Sequence, residues 1–328
     1  MSTSFQEDLV EMKRKLGEYA DKGLAVNFSK VNEEPIVGVK PDQSKIKPLR
    51  KMDAYEGHFM AVDCSTRTLK RANNWGIYLL RVSYALVKGR DVEWGYKERI
   101  RTVVGYSHAR HRVLEDSRVE LESQMALDVL RKLHEGHYLF LDGASYFGGE
   151  RKFRTVLYEK CEGQHINLLA ISKQSSTLHD EKGRDFMASA FVLASDPVWV
   201  YHPVMKANKD GHLYGDVSIV KLCNDSSRIF RCDVMEYLAD RDLQKLLSPL
   251  TFISEDPRCL GYPVTLWLAH DFSTPSDSQL LYYYDKIEES LMESGLLDVL
   301  RREELCCSFP DELHGVRRPF EWELIERV

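Results

Sequence analysis

The sequence predicts an α/β protein built on a mixed sheet with crossover helices. Two stretches carry this expectation. Residues 59–106 hold three consecutive strand-like segments rich in β-branched and aromatic side chains. Residues 114–171 then alternate a helix, an apolar run, a second helix and a second apolar run. Strands joined by short turns pair antiparallel, whereas buried runs separated by helices require crossovers, so the order implies both kinds of pairing in one sheet.

The elements follow in chain order. Ser4 and Glu7 match a capping box, and behind them Phe5, Leu9, Met12, Leu16 and Tyr19 recur at spacings of four and three up to Gly23. This predicts an amphipathic N-terminal helix whose seam docks either on its own domain or on another subunit. Residues 30–53 combine three prolines with Lys40, Lys45, Lys47, Arg50 and Lys51 and read as an extended basic connector. The expected organisation is thus a helix and connector over 1–53 and one larger domain over 54–328. Within the latter, residues 59–63 form a short apolar run ending at Asp63, and 76–89 and 93–106 are two longer strands. A helix over 114–133, a run over 138–141 ending in Asp142-Gly143, a loop and basic helix over 148–160, and a run over 166–171 ending in Ser172-Lys173 come next. Further strands are expected at 198–201, 216–222 and 229–234, then helices at 262–270 and 276–300.

Composition narrows the function classes. The chain has 328 residues, 43% hydrophobic and 29% charged, enough for a real core and for one large domain or two modest ones. Its net charge of −6 excludes a histone-like coat but not a local basic groove. The apolar stretch 186–205 is broken by Asp196-Pro197 and falls short of a membrane span, and the charged start lacks a signal-peptide core. Seven cysteines without CxxC spacing fit a reducing cytoplasm and exclude a thiolate zinc site.

Asp63, Asp142 and Lys173 share one arrangement, each standing where an apolar run ends. Open sheets present ligand-binding groups at such ends; any one of the three taken alone reads more readily as a plain turn residue, but three on neighbouring strands are harder to dismiss. Glu122 is more telling. Winding residues 114–133 at about 100° per residue sets Leu121, Met125, Ala126, Val129, Leu130 and Leu133 in one stripe with Glu122 near its centre. Glu120 falls on the opposite, polar side. A buried carboxylate needs a cation, either an Arg or Lys partner or a divalent metal shared with Asp63 and Asp142. Oxygen ligands without cysteine select Mg2+ or Mn2+, which suits metal-assisted phosphoryl transfer with Lys173 beside the scissile phosphate. The pairs His108/His111 and His134/His137 lack a further ligand at suitable spacing and read as surface residues. His270, one turn after Leu266, reads on its own as a satisfied core histidine.

Taken in order, VDCS at 62–65, Arg118 with Glu122, LDGAS at 141–145, ISK at 171–173 and YPVTLWLAH at 262–270 resemble the NurA nuclease family. The resemblance covers about residues 59–272. It implies an RNase H-like mixed sheet flanked by helices, with extra N-terminal and C-terminal helices, and a Mn2+-dependent (or Mg2+-dependent) DNA nuclease. It further implies a homodimer that works with a HerA-type hexameric ATPase in DNA end processing or repair. Asp63, Glu122 and Asp142 would be the metal-binding carboxylates, with Lys173 and His270 completing the catalytic set. One departure is Cys64, which stands where the family usually has glycine.

Two other readings use the same residues. An actin-like ATPase or sugar kinase shares the core, and Asp63-Cys64-Ser65-Thr66 faintly matches its first phosphate loop. That loop, however, needs glycine where Ser65 stands. A non-catalytic DNA or ATPase adaptor on the same fold is the other. For DNA contact, residues 97–112 hold Lys97, Arg99, Arg101, Arg110 and Arg112 against Glu98 alone, a candidate track for a phosphate backbone despite the acidic balance.

Overall fold

The computed structural model describes residues 38–147, 152–173, 178–293 and 295–313. The N-terminal seam at Phe5, Leu9, Met12, Leu16 and Tyr19 lies outside them.

In chain order the strands are β1 (Gly38–Val39), β2 (Ile46–Pro48), β3 (Phe59–Arg71), β4 (Trp75–Lys88) and β5 (Asp91–Val104). Helix α1 (Ser107–Val129) leads to β6 (Tyr138–Asp142), α2 (Lys152–Gly163), β7 (Asn167–Ser172), β8 (His179–Asp180) and α3 (Phe186–Leu193). Then come β9 (Trp199–Met205), β10 (Gly215–Lys221), β11 (Phe230–Met235), and helices α4 (Leu243–Phe252), α5 (Val264–Ser273), α6 (Asp277–Glu293) and α7 (Leu297–Leu313).

Two compact units interleave along the chain. The first comprises Met1–Tyr55, Asp142–Tyr146 and Leu169–Val264, and the second Glu56–Leu141, Phe147–Leu168 and Thr265–Val328. In the second unit the strand order is β6-β3-β4-β5. β3, β4 and β5 pair antiparallel, while β3 and β6 pair parallel from Phe59 with Tyr138 to Val62 with Leu141. The crossover between these parallel strands is α1, as the sequence order required. Leu69, Ala72, Trp75, Ile77, Leu79 and Leu280 form one apolar cluster of this unit, joined by Tyr283, Ile287, Leu291 and Leu300 from the C-terminal helices. In the first unit the order is β2-β9-β10-β11-β7, all antiparallel. There α3, capped by Asp185 through the amides of Met187 and Ala188, buries Phe186, Met187 and Ala190 against Trp199, Tyr201 and Ile219.

Several expectations shift. β3 does not stop at Asp63 but continues to Arg71, pairing with β4 along its length. Helix α1 starts at Ser107 rather than near 114, because its polar first turns carry no apolar periodicity to read. The single helix expected over 276–300 is two. Gly295, at φ +72, donates to Met292 O while Leu296 donates to Leu291 O, a C-terminal turn that only glycine adopts without strain. No helix among the described residues is long and apolar enough to cross a membrane.

Candidate active site

β3 carries Asp63 on a buried segment, and the side chain is only 5% exposed. Its Oδ2 meets Nδ1 of His270 at 2.8 Å and accepts a hydrogen bond from Ser273 Oγ at 3.1 Å. Both partners come from α5, which opens just after Pro263, a residue suited to a helix start. The helix is fastened to the sheet through main-chain carbonyls. Ser83 Oγ of β4 donates to Ala269 O at 2.5 Å, and Ser65 Oγ donates to Ser273 O. His270 is therefore not a core residue: its ring is 56% exposed, with one nitrogen fixed by the carboxylate.

Glu122 lies on the buried face of α1, as its helical phase predicts. Glu120 is half-buried instead and accepts a hydrogen bond from Gln124 at 3.1 Å. Burial above all, with Asp63 adding repulsion, pushes the Glu122 carboxyl up to about 7, against the opposing pull of Arg154 and Arg118. Arg154 of α2 donates to it at 3.1 Å, both side chains being buried, and Arg118 stands 3.9 Å away. A cationic side chain thus accompanies this carboxylate, one of the two partners the sequence left open. Arg154 itself was invisible in the sequence. The only signal was the basic character of its helix.

Arg118 also donates from Nε to Cys64 O at 2.8 Å and from Nη1 to Glu115 at 3.0 Å. Cys64 sits in regular strand with its thiol buried, and the Arg118 bond holds the backbone immediately after Asp63. The residue that departs from the family pattern is accommodated without a turn.

Asp142 and Lys173 pair with each other in the first unit, at 2.9 Å and partly exposed. Gly143, at φ +112, makes the turn after Asp142 and donates to Ile171 O at 3.1 Å. Deeper in, Asp233 accepts from Ser145 N and Oγ at 2.9 Å each and from Arg231 at 2.7 Å, and so anchors the Asp142–Tyr146 segment. No sequence pattern marked Asp233 or Arg231. Among the described residues, no three His, Cys, Asp or Glu side chains converge tightly enough to enclose a metal ion unaided.

On the basic strand and the helix after it, Arg99, Arg101 and Arg112 are exposed. Arg110 is not: it is buried, with its guanidinium donating to Asn73 O and Gly105 O at 2.5 and 2.8 Å. It supports the turn before α1 and is unsuited to tracking phosphates. His108, His111 and His134 are exposed. His137 is half-buried against His58, ring centroids 4.2 Å apart, and partial burial with these neighbours lowers its pKa to about 4.

No family model matches the chain, and no curated protein matches it by sequence. Solved structures do. The NurA nuclease from Sulfolobus solfataricus shares 14% identity over 90% of this chain and 98% of its own, with a TM-score of 0.64. A NurA crystal structure with manganese shares 12% over 88% and 98%, at 0.55, and a further NurA structure 12% over 89% and 96%, at 0.53. At such identities the likeness is one of architecture, and the chain has the mixed-sheet, RNase H-like fold of the NurA nucleases.

Proposed function

We propose that this chain is a divalent-metal-dependent deoxyribonuclease, a phosphodiester hydrolase working through Asp63, Glu122 and His270. The observation that carries the reading is a pair of buried carboxylates, Asp63 and Glu122, on either side of Arg118, which donates to Cys64 O next to Asp63 at 2.8 Å and stands 3.9 Å from Glu122. Arg154 and Arg118 offset part of this charge, and a divalent cation would offset the rest. The donor set fits a hard ion such as Mn2+ or Mg2+, which is commonly held by one or two carboxylates and completed by waters and substrate phosphate. Such an ion, when bound, supplies an activated water and stabilises the leaving oxygen.

The protein's own groups have distinct tasks. Asp63 and Glu122 hold the ion, and Ser273 fixes the rotamer of Asp63 through its 3.1 Å bond. An ionised Asp63 keeps the proton of His270 on Nδ1, so Nε2 is the basic nitrogen that exchanges a proton with the substrate. Arg154 limits the repulsion around Glu122. Asp142 as a third metal ligand and Lys173 as a charge for the scissile phosphate are supported by their motifs, LDGAS and ISK.

In this reading the enzyme is an exonuclease, a single-strand endonuclease or both. It acts as a homodimer with a HerA-type hexameric ATPase in DNA end processing or repair. The order of the motifs supports these points, and the seam at Leu9 and Leu16 is the candidate contact. Light scattering and ATPase pull-down of a Leu9→Asp, Leu16→Asp variant test that contact. The reading as a whole is tested by cleavage of labelled DNA with and without Mn2+. The parent should cut only with the metal, and Asp63→Asn should not cut at all. Cleavage by Asp63→Asn at the parental rate would refute the assignment.

A further inference from the structure

The outer strand of the second unit presents an aromatic row. Trp94 and Tyr96 lie nearly parallel on β5, with ring centroids 6.2 Å apart, and Trp94 stacks on Phe272 of α5 at 4.6 Å. Trp94 is 50% and Tyr96 42% exposed, with the Arg81 guanidinium 4.4 Å from the Tyr96 ring centroid, and Val92 and Ile100 beside them are also exposed. Contiguous apolar surface of this kind marks a binding site.

Strand register connects this row to Asp63. Asp63 is opposite Ser83, and Ser83 is opposite Tyr96; in the next row on that face, Ala61 is opposite Ala85 and Ala85 opposite Trp94. Residues in one cross-strand row share a face of the sheet. With strands about 4.8 Å apart, Tyr96 stands roughly 10 Å from Asp63 on that face. Phe272 belongs to the same helix as His270, two residues on. β5 is the last strand of its sheet among the described residues. It carries Lys97, Arg99 and Arg101, of which Lys97 pairs with Asp128 at 2.6 Å; among its acids, Glu98 is bound by Arg81 at 2.6 and 2.8 Å and Glu93 by Lys132 at 2.6 Å.

We propose that Trp94, Tyr96 and Phe272 form a stacking platform for the unpaired bases of a single-stranded DNA end whose phosphodiester reaches Asp63. The proposal rests on the nuclease reading and names its substrate. Every base offers a π face, so stacking is tolerant of sequence, while Arg99 and Arg101, on the opposite face of the same edge strand, meet the phosphates of a strand that wraps this edge. Bases inside an intact duplex cannot reach the rings, so single strands or frayed ends are the preferred ligands.

The test is fluorescence anisotropy with fluorescein-labelled oligo(dT) and a blunt duplex, without added metal so that nothing is cut. Trp94→Leu with Tyr96→Leu keeps apolar bulk but removes two π faces, and should weaken oligo(dT) binding about ten-fold or more. Trp94→Phe with Tyr96→Phe should restore it to within about three-fold, since stacking faces return. Duplex affinity should not change. Leu variants that bind oligo(dT) like the parent would overturn the platform. So would Leu variants whose mass in light scattering falls while oligo(dT) affinity stays, because that face would then join two copies of the chain. Cleavage with Mn2+ judges the underlying reading separately. A parent that binds through these rings without cutting keeps the platform and loses the nuclease, and a parent that cuts while all variants bind alike does the reverse.

Discussion

Asp63 and His270 are 207 residues apart in the chain, yet Oδ2 of one lies 2.8 Å from Nδ1 of the other. The carboxylate is buried and the imidazole is open, so the pair has one fixed end and one end in contact with solvent. Replacing His270 with Ala should lower the rate of cleavage by about 10²–10⁴, the usual contribution of a positioned general acid or base. An exposed ring contributes little packing, so the melting temperature and Mn2+ affinity should stay near parental. Rates, thermal unfolding and Mn2+ titration of this variant check the three expectations together. A loss of metal binding equal to the loss of rate would mean that the ring serves the metal rather than the proton.

Glu122 should make the metal-free protein less stable as pH rises. Its folded pKa of about 7 exceeds its ordinary value of 4.5, so between these values the folded state holds the proton more often than the unfolded chain. The stabilisation is fully present below pH 4.5 and is lost by about pH 7, a difference of about 3 kcal/mol. Urea unfolding of the metal-free protein across this window measures it. Glu122→Gln should flatten the slope and impair cleavage, while Glu120→Gln, on the polar side of the helix, should do neither.

The Arg154–Glu122 pair has a pH signature of its own. Removing one member of a buried ion pair costs about 3–5 kcal/mol because the other charge is left uncompensated. Arg154→Met should therefore destabilise the metal-free protein by about 3 kcal/mol at pH 8 and by less near pH 5, where Glu122 takes up a proton. Unfolding midpoints at the two pH values give the comparison, and equal losses at both would show that Arg154 acts through packing alone.

Periodicity carried the reading where one face of an element meets water and the other does not. The 23-residue α1 exposes one side, so the phase of Glu122 against Glu120 was legible, whereas β4, buried on both faces, and the largely exposed β5 were found to within two residues from composition rather than period. The second half of β3 was not, because Ser65, Thr66, Arg67 and Thr68 are polar residues in a strand and look like a loop. α4 went unseen for a different reason: Pro249 lies inside it and reads as a helix breaker. β2 was hidden in the proline-bearing connector. The site divides in the same manner. Asp63 and Glu122 were accessible from local pattern, whereas Arg154, Ser273 and Asp233 acquire their roles from partners 32, 210 and 88 residues away. Long-range pairing of that kind leaves no periodic trace.

The five basic residues of 97–112 should fall into two classes. Arg99 and Arg101 project from β5 into solvent, whereas Arg110 is held by two backbone carbonyls. If β5 tracks a phosphate backbone, each cation that neutralises a phosphate releases counterions, and affinity falls steeply with salt. Arg99→Glu with Arg101→Glu should weaken DNA binding and reduce the slope of log K against log salt by about 0.7 for each single-strand phosphate that is no longer neutralised. Their melting temperature should hold, since exposed surface substitutions rarely matter beyond about 0.5 kcal/mol. Arg110→Ala should do the opposite. The turn before α1 loses the clasp of a buried side chain on the Asn73 and Gly105 carbonyls, so stability should drop while the salt slope of the folded fraction stays parental. Anisotropy titrations at several salt concentrations, paired with thermal unfolding, separate the classes. An unchanged slope in the double variant would put the DNA path on another face of the molecule.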